Sequence, residues 1–228
     1  MNNKEWSEKV LQKYDLSFKH RWEIYDEKVK SSLTAETIWL DCGCGNDEMI
    51  EMYSSLVKTA VGVDIIDSLN KKNYIKADIR HLPFPTNYFD LITLRFVVEH
   101  FDKEKEYITE LIRVLKKGGQ IIILTTNLLS PLIFLPRLIL PYQLKSKILT
   151  KFFKVNDDDV FPTFHRINTP GKYYKMEKDF AIQEIVYISD MNYTRKWIFI
   201  LLLIWHKITT IKLFNKLRTN ILVILKKI

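Results

Sequence analysis

Cysteine is almost missing from this chain. Only Cys42 and Cys44 occur among 228 residues, with Gly43 between them. Such close neighbours are too few for a disulfide framework, and a lone Cys-x-Cys lacks the second ligand pair of a zinc site. The sequence therefore predicts no metal and a reducing compartment. Met1 to Lys13 is polar and charged, without the apolar core of a secretory leader, which points to the cytoplasm. The apolar run from Trp197 to Trp205 stops at nine residues, where a membrane span needs about twenty. Acidic residues are missing from two segments, 128–156 and 191–228.

Those two segments locate the charge. The first holds Arg137, Lys145, Lys147, Lys151 and Lys154; the second holds eight lysines and arginines, including Arg195, Lys207 and Lys227. The net charge is +8, so the rest of the chain sums to −5. Basic character thus belongs to two stretches that are also rich in large apolar residues. The length suits one domain with a substantial core, and an apolar fraction of 47% is ordinary for a globular protein.

The most informative stretch is Ile38-Trp39-Leu40-Asp41-Cys42-Gly43-Cys44-Gly45, followed by Val61-Gly62-Val63-Asp64. An apolar strand runs into a glycine turn, and a second apolar strand ends in a carboxylate. Glycine lets a backbone approach a ligand closely, and a carboxylate at the second strand end can accept both hydroxyls of a ribose. A dinucleotide fingerprint needs a third glycine at position 48, but Glu48 stands there beside Asp47. Two carboxylates at a helix start would repel a pyrophosphate. S-adenosylmethionine, with its sulfonium and amino group, suits that electrostatics.

The segment 40–46 resembles the first motif of the class I S-adenosylmethionine-dependent methyltransferases, of the methyltransferase type 11 kind. The likeness continues through Ala77-Asp78-Ile79, Leu82-Pro83-Phe84-Pro85, Phe89-Asp90-Leu91-Ile92, Val98-Glu99-His100-Phe101 and Arg113 to Gly119, in the family's order. Asp47 departs from it, where many relatives carry a third glycine. The resemblance covers roughly residues 36–126 and implies an α/β fold: a Rossmann-like, doubly wound seven-stranded sheet, mostly parallel with an antiparallel last strand, and helices on both faces.

The pattern of the chain agrees with that expectation. Lys4 to Leu33 reads as two helices around Tyr14-Asp15. Strands are expected at 38–41, 60–64, 74–77, 89–94 and 120–125, with a helix at 47–57 and another from Asp102, as N-cap, to Leu115. Gly118-Gly119 reads as the stop of that second helix. The prolines of 128–153 predict short helical pieces, and Asn168-Thr169-Pro170 predicts a helix start. Strands at 182–188 and 221–225 flank one helix over 194–217. The chain reads as a single methyltransferase domain over 1–228, with a helical lid at 1–35, a core at 36–126, an acceptor or lid insertion at 127–170, and C-terminal strands with an apolar helix at 171–228.

The resemblance implies roles for particular residues. Gly43 and Gly45 lie beneath the methionine part of the cofactor, and Asp41 holds its ammonium. Asp64, with Ile65 beside it, takes the ribose. Asp78 accepts from the adenine amino group, with Ile79 on the ring face; Arg95 and Phe96 follow the fourth strand. Tyr14 and Arg21 are candidates to close over the cofactor carboxylate. His165 and His100 are the candidate catalytic bases, since a hydroxyl acceptor needs a proton removed. His165 and Arg166 are the candidate acceptor-binding pair, in a loop preceded by Asp157, Asp158 and Asp159.

Nine uninterrupted apolar residues present side chains on every helix face, more than one sheet covers. With tryptophan at both ends and lysines beyond, this run and 128–153 read as a membrane-docking face beside the acceptor pocket, attracted to anionic lipid. Such a protein sits in the cytoplasm or peripherally on the inner face of the membrane. The acceptor is then a small or lipid-linked molecule. Nucleic acid is the weaker partner, because no stacking module is evident. An RNA- or protein-modifying methyltransferase, or a cofactor-binding homologue without activity, remains as an alternative. The sequence leaves the oligomeric state open.

Overall fold

Ile38–Cys42 forms β1, with Trp39 and Leu40 fully buried. Its apolar run without alternation suits a parallel strand covered on both faces. The same composition makes β2 from Thr59–Asp64 and β4 from Phe89–Arg95, on either side of β1. Tyr74–Lys76 (β3), Leu115–Thr126 (β5), Phe180–Ile188 (β6) and Asn220–Lys227 (β7) complete a sheet in the order β3-β2-β1-β4-β5-β7-β6. The computed structural model describes residues 2–46, 48–66, 72–139 and 161–228.

Pairs β2–β3, β1–β2, β1–β4 and β4–β5 are parallel. The β7 strand runs the other way. Thr219 O, at its start, accepts from Asn127 N–H just past the end of β5, while Lys227 Nζ, at its end, donates to Leu115 O at the beginning of β5. Ile228 N–H likewise reaches Asp179 O, just before β6. The expected seven-stranded, mostly parallel sheet with an antiparallel end is what the chain forms.

Two compact units are built on this chain. One comprises Tyr25–Thr125, Thr163–Val186 and Ile221–Ile228, and carries nearly all of the sheet. In it the helix Glu48–Tyr53 (α3) links β1 to β2, and Glu104–Val114 (α4) links β4 to β5. The two crossovers run in opposite directions along the sheet, so right-handed connections place these helices on opposite faces. Two local expectations are corrected here. Lys103, not Asp102, is the N-cap of α4, and Asp102 Oδ1 instead accepts from Lys103 N–H at 2.9 Å and Tyr107 Oη at 3.3 Å. Gly118 and Gly119 lie inside β5, not at the helix end. Between the pairs Phe89–Leu115 and Leu91–Gln120, β5 takes five steps against two on β4. That bulge needs Gly118 at φ +78°, and a Cβ on Gly119 would fall 3.0 Å from Asp90 O.

The other unit comprises Met1–Ile24, Thr126–Pro162 and Tyr187–Asn220. Asn3–Tyr14 (α1) starts at a capping box, in which Asn2 Oδ1 accepts from Glu5 N–H and Glu5 Oε2 accepts from Asn2 N–H. Arg21–Ser32 (α2) begins in this unit, and α1 with α2 matches the two expected N-terminal helices. The expected single helix over 194–217 breaks at Ile211. Lys196–Thr210 is α-helix and Lys212–Leu217 a 3₁₀ turn. The first expected piece of 128–153 is the helix Pro131–Ile139 (α5), which continues through Pro136 with one backbone bond fewer. Residues 140–153 of that segment, with Asp47 and Asp157 to Asp159, lie outside the described residues. Pro170–Tyr174 (α6) starts where expected, with Thr169 as N-cap and Pro170 at its first position; Lys196–Thr210 is α7.

Leu11, Met191, Phe199 and Leu203 form the core of this second unit, with Trp6 edge-on to Phe199. His206 on α7 is buried there, with Nδ1 at 3.0 Å from Ser189 Oγ and Nε2 at 2.9 Å from Asp15 Oδ2. Hydrogen bonds from Ser17 and from His206 bring the Asp15 carboxyl down to a pKa of about 2. A depressed carboxyl contributes stability above its ordinary 3.8 and loses it as pH falls toward 2. Asp15→Asn should therefore flatten the decline in melting temperature between about pH 5 and pH 2. An unchanged acid slope would show that this carboxylate carries no such linkage.

Candidate active site

The strand order reverses between β1 and β4, since the chain moves outward from β1 to β3 and then returns to β4 on the other side. In open α/β sheets ligands bind outside the carboxyl ends of the strands at that reversal. The residues there are Gly43 to Gly45, Asp64, and Arg95-Phe96. Gly43 has φ +69° and Gly45 φ +54°, conformations that favour glycine. Gly43 N–H donates to Val63 O at 2.7 Å, which folds the loop back over β2. A Cβ on Gly43 would fall 2.3 Å from Val97 Cγ2, whereas one on Gly45 would meet nothing within 4 Å. Gly43 therefore serves packing, and Gly45 borders open space.

Asp64, at the tip of β2, ties this loop down. Its Oδ2 accepts from Gly45 N–H at 2.9 Å and its Oδ1 from Ile66 N–H at 3.1 Å. A carboxylate offers about four acceptor sites, so two main-chain donors leave room for two ligand hydroxyls. Ile65 follows it on the surface. Glu48 and Glu51 give α3 an acidic first turn.

Asp41 is buried inside β1. Thr93 Oγ1 donates to Asp41 Oδ1 at 2.6 Å and accepts from Trp39 Nε1 at 2.8 Å. The buried Tyr25 hydroxyl lies in the same field, its pKa raised by burial and by Asp41 and opposed by Arg95. Burial, then Asp41, also pushes the Cys42 thiol up. Thr93→Val would leave the Asp41 carboxylate without this donor, a loss of about 2 kcal/mol of stability. Urea unfolding measures it, and a variant as stable as the parent would remove Thr93 from this account.

Asp78 is engaged more heavily than the sequence suggests. Arg80 Nη2 donates to its Oδ2 at 2.6 Å, Arg80 Nε reaches both carboxylate oxygens, and Arg80 N–H binds Oδ1. That guanidinium holds the Asp78 carboxyl below its ordinary range, and it lies over the Tyr107 ring at 5.5 Å. Ile79 beside it is buried. An adenine amino group at Asp78 would thus share the carboxylate with Arg80.

The candidate histidines are linked through backbone. His100 ends a 3₁₀ turn, Val98–His100, and Glu99 O in that turn accepts from Phe164 N–H at 2.7 Å and His165 N–H at 3.0 Å. His165 is itself buried, at φ +53°. Below it Thr125 Oγ1 donates to the buried Glu99 carboxylate at 2.8 Å and accepts from Asn168 Nδ2 at 2.7 Å. Burial and then Glu99 raise the pKa of the enclosed Tyr173 hydroxyl. Arg166 points to the exterior. Phe96, after β4, is also at positive φ, +56°, an uncommon conformation for a bulky residue and one that gathers at functional sites.

Sequence reading missed Thr93, Tyr25, Arg80, Thr125 and Asn168. Only Arg80 left a signal, as a cation two residues after Asp78. In the other unit Arg21 Nη1 pairs with Asp190 Oδ2 at 2.6 Å, and the Tyr14 ring sits under Lys207 Nζ. Among the described residues no group of three or more His, Cys, Asp or Glu side chains is placed to hold a metal.

Residues 40–123 match the model of the methyltransferase domain. Over 112 residues the chain is 32% identical to the ubiquinone/menaquinone biosynthesis C-methyltransferase of Serratia proteamaculans, a match covering 41% of this chain and 45% of that one. Against the same enzyme of Shewanella pealeana the identity is 40% over 102 residues, covering 37% and 41%. The chain spans less than half the length of these relatives. Geranyl diphosphate C-methyltransferase from Streptomyces coelicolor, solved with magnesium, geranyl diphosphate and S-adenosyl-L-homocysteine, shares the fold at a TM-score of 0.59 and 15% identity, over 90% of this chain and 79% of that one. A SAM-dependent methyltransferase from Archaeoglobus fulgidus gives 0.56 at 19% identity, over 90% and 94%. Residues 40–123, with a glycine loop clamped to an acidic strand tip at the reversal of the sheet, form a methyltransferase domain of the class I S-adenosylmethionine-dependent kind.

Proposed function

We propose that this chain uses S-adenosylmethionine to methylate a small or lipid-linked acceptor, and that residues 1–228 act as one methyltransferase domain in the cytoplasm or peripherally on the inner face of the membrane. The observation that carries the reading is the Gly45 N–H to Asp64 bond at the sheet reversal, with open space at Gly45. The residues suit a cationic adenosine thioether. Asp64 and Ile65 would take the ribose, Asp41 the ammonium, Asp78 and Ile79 the adenine, and Gly43 and Gly45 the backbone approach, with Arg95 nearby. When bound, this cofactor supplies a methyl group already activated on sulfonium.

The chain's own contribution is alignment and the exclusion of water. His165 and Arg166 are proposed to bind the acceptor, and His165 or His100 to take a proton where the acceptor carries one. The names of the relatives favour carbon as the methylated atom and an acceptor with an isoprenoid portion. Among the described residues no helix is long and apolar enough to cross a membrane, so contact with lipid would be at the surface.

Calorimetry with S-adenosylmethionine and with its demethylated product, followed by mass spectrometry of a lipid extract incubated with labelled cofactor, tests both parts. Heat with either nucleoside and label in a lipid-soluble product are the expected results. Label in RNA or protein would transfer the activity to that acceptor class, and heat without label in any fraction would leave a binding homologue. Absence of heat with both nucleosides, with heat from a nicotinamide dinucleotide, would overturn the cofactor.

A further inference from the structure

Apolar side chains cover two faces of α7. Ile198, Phe199, Leu203 and, with them, His206 and Thr209 point into the core of their unit. Trp197, Ile200, Leu201, Ile204 and Ile208, spaced by three, one, three and four residues, form a second stripe that is exposed, with Trp197 and Leu201 each 57% and Ile204 52% accessible. A soluble surface helix normally shows one apolar face. Here the core takes one face, and the second lies open.

That second face borders a groove of about 790 Å³ between α1 and α7. Val10, Ile204 and Ile208 line it together with Lys9, Lys13 and Lys207, and no carboxylate does. Lys9 and Lys13 are one turn apart on α1, and Lys207 Nζ donates to Tyr14 O at the end of that helix, so the three ammonium groups flank one aliphatic channel. The C-terminal stretch 191–228 brings further cations and no acid.

We infer that the α1–α7 groove is where this protein docks on an anionic lipid bilayer, its aliphatic lining meeting acyl chains and its lysines the phosphate headgroups. The inference rests on the membrane-surface part of the proposed function and names its site. Charge decides between occupants. A second copy of this chain would bring the same three cations against these three. A nucleic acid would match the lysines, but it calls for open stacking platforms, and the two aromatic rings of the lining, Trp6 and Tyr14, already carry the Lys196 and Lys207 ammonium groups over them. An anionic bilayer matches both the charge and the aliphatic lining.

The full chain would be floated with vesicles of phosphatidylcholine alone and with vesicles containing phosphatidylglycerol as well. Binding to the mixed vesicles alone, weakened by salt, is the expected result. Replacing Lys9, Lys13 and Lys207 together by Gln should lower partitioning about 100-fold, from roughly fivefold per cation. Ile204→Asp, which leaves the lysines in place, should also abolish it. Calorimetry with S-adenosylmethionine on each variant serves as the folding control, because none of these residues is assigned to the cofactor. Parent-like partitioning of either variant, or no binding of the parent to mixed vesicles, overturns the inference. So does displacement by RNA or by inorganic phosphate at a concentration matching the lipid phosphate. Cofactor heat without vesicle binding would leave the methyltransferase reading intact, and the converse would leave the docking site.

Discussion

Gly45→Ala should leave the chain folded and weaken cofactor binding, while Gly43→Ala should damage both. The two glycines share a positive φ, +54° and +69°, so each alanine meets the left-handed penalty of about 1–2 kcal/mol. At Gly43 the new methyl would also lie 2.3 Å from Val97 Cγ2, and overpacking adds about 1–3 kcal/mol. Gly43→Ala is therefore expected to lose about 3 kcal/mol in urea unfolding. At Gly45 nothing lies within 4 Å, so the methyl occupies the space assigned to ligand. Calorimetry should show affinity for S-adenosylmethionine falling by about 10–100-fold in Gly45→Ala, with a stability loss near 1 kcal/mol. Parent-like affinity in that variant would remove the glycine loop from the binding surface.

Replacing Asp64 should produce the other large effect. Its carboxylate holds Gly45 N–H and Ile66 N–H, and the proposed ribose contact uses the same oxygens. Hydrogen bonds to a charged acceptor are worth about 1.5–3 kcal/mol, so Asp64→Ala should weaken cofactor binding by roughly 10–150-fold. Asp64→Asn keeps one acceptor oxygen but turns an NH2 toward one of the two amides, so it should lie between alanine and the parent. Arg80→Gln offers an internal comparison, since it releases Asp78 without touching the loop. If Asp64→Ala bound the cofactor as tightly as the parent, the strand tip would be a loop anchor and nothing more.

The central strands were legible because their signal is local. Ile38 to Leu40 and Leu91-Ile92 are apolar stretches inside short strands, the glycine turn follows directly after the first, and Asp64 ends the apolar strand Thr59–Asp64. The elements misread were those in which a residue serves a distant partner. Gly118 and Gly119 have the composition of a helix stop, yet the bulge opposite Asp90 uses them, and that pairing is invisible from one segment alone. The break at Ile211 was hidden for a related reason, since apolar residues continue on both sides of it. At the candidate site, the glycines and strand-end acids stand out in the sequence as a turn and two strand tips. Thr93 and Tyr25 could not, because a threonine in a strand and a tyrosine in a helix are ordinary until the fold brings them to Asp41. The nine-residue run of α7 posed a choice between burial and exposure. Both are present, one on each face.

The clamp that Asp64 places on Gly45 also bears on how fast and with what heat a ligand is taken up. With two amides already fixed on that carboxylate, the turn has given up its backbone freedom during folding, at about 1–2 kcal/mol per residue. An incoming nucleoside meets a ready-made seat and need not order it, so association should be a single kinetic phase, without the lag of an induced rearrangement.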